Sequence, residues 1–105
     1  MPAIGYVIRD GSGFKGELKT LSIRTPITIV PNGRKTADAQ PDYRVSAGGV
    51  EVGAGWIRRG EMSGKDYVSL TLAAPEFGRR LYANLGRAAD QDDDDTFAII
   101  WNADD

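Results

Sequence analysis

Aromatic, basic and hydroxyl side chains alternate with small or apolar ones in two neighbouring segments, residues 50–59 and 67–72. If Arg58 pairs with Tyr67 across a β-hairpin, then Trp56 lies opposite Ser69, and all four side chains share one face. Flat rings stack on bases, guanidinium groups contact phosphates, and hydroxyls hydrogen-bond to sugars or base edges. The pattern predicts a platform for single-stranded nucleic acid.

Further residues extend this platform towards the hairpin turn. Thr71 continues the hydroxyl pattern opposite Ala54, and Arg59 and Lys65 add positive charge beside the turn. Arg79, Arg80 and Arg87 are additional candidate cations. The predicted nucleic-acid-binding residues are Trp56, Arg58, Arg59, Lys65, Tyr67 and Ser69.

The same hairpin allows a structural interpretation. Its other face contains only apolar residues and glycines, namely Ile57, Val68, Leu70, Leu72, Gly53 and Gly55, and is therefore predicted to face a core. In the alternative, Trp56 is a large core residue, the two glycines mark a sharp bend, and Tyr67 is half-buried. A one-residue change of register exchanges the two faces, so both interpretations stay open.

The sequence contains few of the residues and motifs that catalysis or cofactor binding requires. Histidine and cysteine are both absent, which excludes Ser-His-Asp and Cys-His catalysis and ordinary zinc sites. The glutamates show no spacing that fixes a catalytic pair, and the short glycine motifs lack the remainder of a phosphate-binding loop. We expect no enzyme activity, no cofactor and no metal; a nuclease or hydrolase would need a metal held by Asp and Glu alone.

Charge is distributed unevenly. Residues 1–89 hold 13 basic and 8 acidic residues, a net charge of +5, whereas residues 90–105 hold seven Asp and a net charge of −7. Asp92–Asp95 supplies the oxygen ligands that hard cations prefer, but the spacing of a calcium loop is absent, which favours a solvated acidic loop. A second hypothesis is that this run occupies the basic surface and competes with phosphates.

Period-two alternation and frequent turn residues predict an all-β domain spanning residues 1–105. The expected fold is a small antiparallel barrel or a two-sheet sandwich of about seven to eight short strands. Ile4, Tyr6 and Ile8 are expected on one face of the first strand, Pro31–Pro41 is expected to cross between sheets or sheet edges, and Arg80–Arg87 fits either strand or helix. The predicted strands are Ala3–Arg9, Phe14–Ile23 with a bulge after Leu18, Ile27–Val30, Asp42–Ala47, Val50–Arg59, Tyr67–Leu72 and Thr96–Trp101.

Neither a long apolar run nor an N-terminal signal pattern is present. The expected location is therefore the cytoplasm, with no membrane association.

A set of motifs in order along nearly the whole chain resembles the small bacterial proteins of domain of unknown function 736. These motifs are Ile4-Gly5, Gly13–Gly16, Leu18–Leu21, Pro41–Val45, Val52–Trp56, Lys65–Leu70 and Ile100–Asn102. The resemblance implies no established activity and no catalytic residues. Members are often encoded on plasmids and integrative elements, which implies a role in mobile-element biology such as DNA handling, regulation or evasion of host defence.

Two function hypotheses follow. The first is a non-enzymatic module that binds single-stranded nucleic acid through the Trp56 and Tyr67 face. The second is a protein-interaction or inhibitor module that acts on a host or plasmid protein, either through acidic residues that imitate phosphates or through a free strand edge. A homodimer formed through a sheet edge is compatible with both.

Overall fold

The computed structural model describes residues 3–33, 36–37, 39–60, 64, 66–87 and 95–102. Its strands are β1 (Ala3–Asp10), β2 (Gly13–Lys19), β3 (Arg24–Pro31), β4 (Tyr43–Ala47), β5 (Val50–Arg59), β6 (Asp66–Leu72), β7 (Leu81–Arg87) and β8 (Thr96–Trp101). A single 3-10 turn, Pro75–Phe77, lies between β6 and β7.

All eight strands pair antiparallel with their sequence neighbours, and β8 pairs with β1 to close a barrel. The all-β prediction is confirmed, and the structure decides for the barrel over the sandwich. Because closure gives every strand two hydrogen-bonded neighbours, the described strands offer no free edge for β-augmentation. The segment after Pro31 joins adjacent strands β3 and β4, so the predicted crossover is wrong.

Inward-pointing apolar side chains from every strand fill the barrel. Their burial contributes on the order of 2 kcal/mol for each large side chain. No polar or charged side chain among the described residues is buried. The most deeply buried residues are Val7, Leu18, Ile27, Ile29, Val45, Leu70, Leu72 and Ile99.

Strand β1 differs from its predicted orientation. Tyr6 and Ile8 point outward, with 56% and 47% of their surface exposed, while Val7 enters the core. A register irregularity between Ala3 and Gly5 allows Ile4 to be buried as well. The bulge shifts the alternation by one residue, which simple period-two counting cannot detect.

Strand β2 ends earlier than predicted. The chain turns after Lys19, where the Thr20 hydroxyl accepts a hydrogen bond from the backbone N–H of Ile23. Leu21 lies in this turn and is fully exposed, so the proposed bulge between Leu18 and Leu21 does not form. Arg80–Arg87, the segment left open between strand and helix, contains strand β7.

The barrel has two distinct ends. We call the end where β1 passes into β2 the mouth, and the end where β2 passes into β3 the base. At the base, Ile23, Phe77, Leu81 and Trp101 pack against the core from partly buried positions. In the part of the chain that is described, no helix is long and apolar enough to cross a membrane.

Candidate nucleic-acid interface

The hairpin of β5 and β6 has the register expected from the sequence. Arg58 pairs with Tyr67, Trp56 with Ser69, and Ala54 with Thr71. Since directly paired residues share a face, these six side chains form one surface on the outside of the barrel. We call the surface formed by Trp56, Arg58, Tyr67, Ser69 and Thr71 the platform.

The platform does not belong to the core. The opposite face of the hairpin supplies the interior, where Leu70 and Leu72 are fully buried opposite Gly55 and Gly53. Trp56 is only half-buried and is not among the residues that pack against the core. The interpretation of Trp56 as a core residue is therefore wrong.

Both glycines of β5 leave space for the interior. A Cβ at Gly53 would collide with the backbone oxygen of Thr71, and a Cβ at Gly55 would lie 3.0 Å from Cδ2 of Leu70. The missing side chains let β5 and β6 approach closely and let Leu70 fill the barrel. The predicted structural role of these glycines agrees with this geometry.

The loop between β3 and β4 holds the indole of Trp56 in place. Trp56 Nε1 donates a hydrogen bond to the backbone oxygen of Ala39 at 3.2 Å. The neighbouring backbone N–H of Ile57 donates to Oδ2 of Asp42 at 2.8 Å. The Arg58 guanidinium lies 5.9 Å from the centroid of the Trp56 ring, within cation–π distance. The ring is thus oriented before any ligand arrives.

The predicted cations are only partly brought together. Arg58 lies on the platform, while Arg59 Nε lies 3.5 Å from Oδ1 of Asp66 in a highly exposed ion pair. Such exposed pairs are weak, so Arg59 can exchange its partner. Arg79 and Arg80 follow β6 and lie towards the base, remote from Arg58. Lys65 and the side chain of Arg87 lie outside the described residues.

Strand β7 extends the platform by two residues that sequence reasoning missed. Asn84 pairs with Ser69, and Tyr82 pairs with Thr71, so both side chains continue the same rows on the outer wall. Asn84 adds an amide that both donates and accepts hydrogen bonds, and Tyr82 adds another ring. The alternating apolar residues Leu81, Ala83 and Leu85 could have indicated that Tyr82 and Asn84 point outward. That inference required a strand over this segment, and the sequence left strand and helix open.

A charged pair lies on the outer wall between the platform and the base. Arg44 donates to Glu51 through Nε at 2.8 Å and Nη2 at 3.0 Å. This hydrogen bonding, and then the opposite charge, lowers the pKa of the Glu51 carboxyl and raises the pKa of the Arg44 guanidinium. Because Arg44 is bound in this bidentate pair, it contributes less net charge to the platform than Arg58 does.

An open cleft of about 630 Å³ occupies the mouth of the barrel. Tyr67 borders it, so the cleft adjoins the platform. Arg9 lies at its wall, with Nε 3.4 Å from Oδ1 of Asp95. Asp92–Asp94 lie outside the described residues, so this contact is what the structure shows of the acidic run. Among the described residues, no group of three Asp or Glu is arranged to hold a metal ion.

These features define a small eight-stranded meander barrel with an aromatic, basic and polar outer wall over β5–β7. Residues 3–104 match the sequence model of the family described as Protein of unknown function (DUF736). The chain belongs to this family, which confirms the resemblance carried by its motifs. No curated protein and no solved structure matches the chain. The family description names no activity, so function must be argued from the surface itself.

Proposed function

We propose that this protein is a non-enzymatic module that binds single-stranded nucleic acid on the platform and its extension over β7. The observation that carries the proposal is the register of β5 with β6 and of β6 with β7. It sets Trp56 and Tyr67 among Arg58, Ser69 and Asn84 on one outward wall. The fold does not need these side chains for its core, which leaves them available to a ligand.

The chemistry suits a flexible strand better than a duplex. An unpaired base presents its flat face, and stacking on an aromatic ring contributes about 1–3 kcal/mol per base. Arg58, held over Trp56, can contact a phosphate next to a base stacked on the platform. Ser69, Thr71 and Asn84 supply hydrogen bonds to sugars and base edges.

The surrounding charge supports attraction of a polyanion. Residues 1–89 carry a net charge of +5, which favours encounter with phosphates at low salt. Neutralised phosphates release counterions, so the proposed complex weakens as salt rises. The setting that we propose is the cytoplasm of a bacterium carrying a mobile genetic element, as the family resemblance implies.

Tryptophan fluorescence provides the direct test. The chain has two tryptophans, Trp56 on the platform and Trp101 at the base. In a Trp101→Phe background, we expect oligothymidylate to quench Trp56 emission in a saturable, salt-sensitive way. In a Trp56→Phe background, the same titration should leave Trp101 emission unchanged.

Variants at Tyr67 separate ring stacking from the hydroxyl. Tyr67→Phe should retain most of the affinity because it keeps the ring, whereas Tyr67→Ala should lose about tenfold. Circular dichroism of each variant checks that the barrel stays folded. The proposal would be rejected if oligothymidylate left Trp56 emission unchanged at both low and physiological salt. Equal affinities with Tyr, Phe and Ala at position 67 would also reject it.

A second candidate function rests on a different wall. Tyr6, Ile8 and Val30 are exposed apolar side chains on β1 and β3, across the barrel from β6. These side chains flank the outer face of β2, which lies between β1 and β3. Exposed apolar residues on one wall are typical of a protein-interaction surface, which fits an inhibitor of a host or plasmid protein. Ile8→Lys should then abolish capture of one defined protein partner, whereas Arg58→Gln on the platform should not. Capture that is equal for both variants argues against this wall.

A further inference from the structure

We propose that the mouth of the barrel is a pocket for a small ligand that joins one flat aromatic ring to an anionic group, and that this ligand is a mononucleotide. The choice of a nucleotide rests on the proposed function, and it deepens that function by naming a second contact for the same ligand. The site itself rests on different residues from the platform. Only Tyr67 borders both.

The cleft has the size and lining of a small-molecule site. Its volume of about 630 Å³ falls within the range of roughly 300–1,000 Å³ typical of ligand pockets. Mouths of β-barrels are a preferred place for such pockets, and here the cleft lies at the end of an interior that side chains fill. Three rings from three alternate strands line it, namely Phe14, Tyr43 and Phe97, and Tyr67 of the platform borders it.

Phe14 belongs to the core, while Tyr43 and Phe97 are only partly buried and line the cleft. Phe14 and Phe97 meet edge to face, with centroids 5.4 Å apart, and Phe14 and Tyr43 are tilted at 6.0 Å. Aromatic pairs prefer such offset and edge-on contacts to a face-to-face sandwich, and a ligand ring can add one more contact of this kind. Ile57 covers one side of the mouth, yet 49% of its surface stays exposed, as expected for a wall open to a ligand.

Arg9 supplies the anion recognition. Its Cζ lies 5.2 Å from the Phe14 centroid and 5.6 Å from the Phe97 centroid, so the two rings fix the guanidinium at the cleft wall. A guanidinium has five N–H donors, and the contact of Nε with Asp95 engages one of them. A phosphate or carboxylate on the ligand has the geometry to bind the same planar group.

The carboxylate of Asp95 occupies the position on Arg9 that we assign to the anionic group of the ligand. This carboxylate lies on Arg9 at 3.4 Å, and the backbone oxygen of Asp95 accepts a hydrogen bond from the backbone N–H of Arg9 at 2.8 Å. Both side chains of the ion pair are about half exposed, at 47% and 63%. An exposed pair of this kind is weak, so an incoming anion can replace the carboxylate. Asp95 thereby acts as an internal competitor for the pocket.

Nuclear magnetic resonance of the full chain tests the pocket with defined probes. We expect thymidine 5′-monophosphate to shift the backbone signals of Val68, Gly86 and Phe97 and to leave the indole signal of Trp101 unmoved. Thymidine and inorganic phosphate should each bind about tenfold more weakly, because each supplies only half of the recognised chemistry. A monophosphate that shifts none of the cleft signals at millimolar concentration overturns the proposal.

Charge variants provide the controls. Arg9→Met should lower the monophosphate affinity about tenfold, to the level of thymidine, while Arg24→Met at the base should change nothing. Arg9→Lys keeps the charge but loses the planar donor fork, so it should weaken binding less than Arg9→Met does. This comparison separates the charge of Arg9 from its geometry. Asp95→Asn should raise the affinity several-fold by removing the competitor. Equal binding of thymidine and its monophosphate to the unmodified chain overturns the role of Arg9.

Comparing oligothymidylate with and without a 5′-phosphate shows whether the pocket binds the end of a strand or a free nucleotide. If the pocket takes the end of a strand, the phosphorylated form binds more tightly and Arg9→Met removes that preference. If it takes a free nucleotide, the monophosphate binds and the oligonucleotide does not displace it. Monophosphate binding without any oligonucleotide binding rejects the platform and keeps the pocket; the reverse result rejects the pocket alone.

Discussion

The base of the barrel is covered by packed side chains, whereas the mouth is open. At the base, the 3-10 turn Pro75–Phe77 and the side chains of Ile23, Leu81 and Trp101 pack onto the core. At the mouth, aromatic rings surround an open cleft and a guanidinium, with a carboxylate beside it. The same meander therefore covers its core at one end and leaves an open cleft at the other.

Both ends also carry an apolar cavity, which sharpens the contrast. The base holds a groove of about 470 Å³ between Ile4, Leu21, Phe77 and Trp101. Lys19 and Thr20 border this groove, but most of its walls are apolar, whereas the mouth has both Arg9 and Asp66 beside its rings. Shape alone does not make a selective site; a few fixed polar groups in an apolar pocket do.

The largest expected effect is on stability at the base. Phe77→Ala removes a ring that packs against the core and should lower the free energy of unfolding by about 2 kcal/mol. Ile57→Ala at the mouth should cost less than about 1 kcal/mol, because that side chain is half exposed. Urea unfolding monitored by circular dichroism compares the two. Equal losses of unfolding free energy in the two variants would contradict the proposed difference between the base and the mouth.

The next effect concerns binding near the mouth. Arg58→Gln should weaken binding of oligothymidylate about tenfold and reduce the slope of log affinity against log salt by about 0.7. Lys15→Gln removes the same charge from the outer face of β2, across the barrel, and should change affinity little. Fluorescence titration at several salt concentrations measures both. A matching loss in the Lys15 variant would indicate general charge attraction instead of a defined surface.

A smaller effect is expected from the loop that holds Trp56. Asp42→Ala deprives the Ile57 backbone N–H of its acceptor and should cost about 1 kcal/mol of stability. It should also broaden the indole signal of Trp56, since the loop that carries the Ala39 acceptor loses an anchor. The indole signal of Trp101 serves as the internal control at the base. An unchanged Trp56 signal would show that the loop holds the indole in place without Asp42.

The smallest effect is a pH dependence on the outer wall. Pairing with Arg44 lowers the pKa of the folded Glu51 carboxyl from its ordinary value of 4.5. The pair therefore contributes its stability above that value and loses it as pH falls through the lowered pKa. Carboxyl chemical shifts followed by acid titration measure this directly, and Arg44→Met should restore the ordinary value. A Glu51 pKa at or above 4.5 in the unmodified chain would contradict the pairing.

Local pattern was sufficient for the central hairpin. Alternation through Trp56–Arg58 and Tyr67–Ser69 gave the correct register and faces, because each strand pairs with a neighbour across a short turn. Local pattern was insufficient for Tyr6 and Ile8, whose strand contains an irregularity, and for Leu21, which lies in a turn. Apolar identity alone does not tell an inward from an outward residue.

Sequence by itself determined the all-β class, the absence of histidine and cysteine chemistry, and the composition of the platform. Tertiary structure decided the outward orientation of Trp56, the addition of Tyr82 and Asn84, and the mouth. Arg9 and Phe14 already pair across the β1–β2 hairpin, but Phe97, which is distant along the chain, reaches them only because β8 pairs with β1. Barrel closure is a long-range event whose strand tilt and register are set jointly by all eight strands, so no local pattern encodes it.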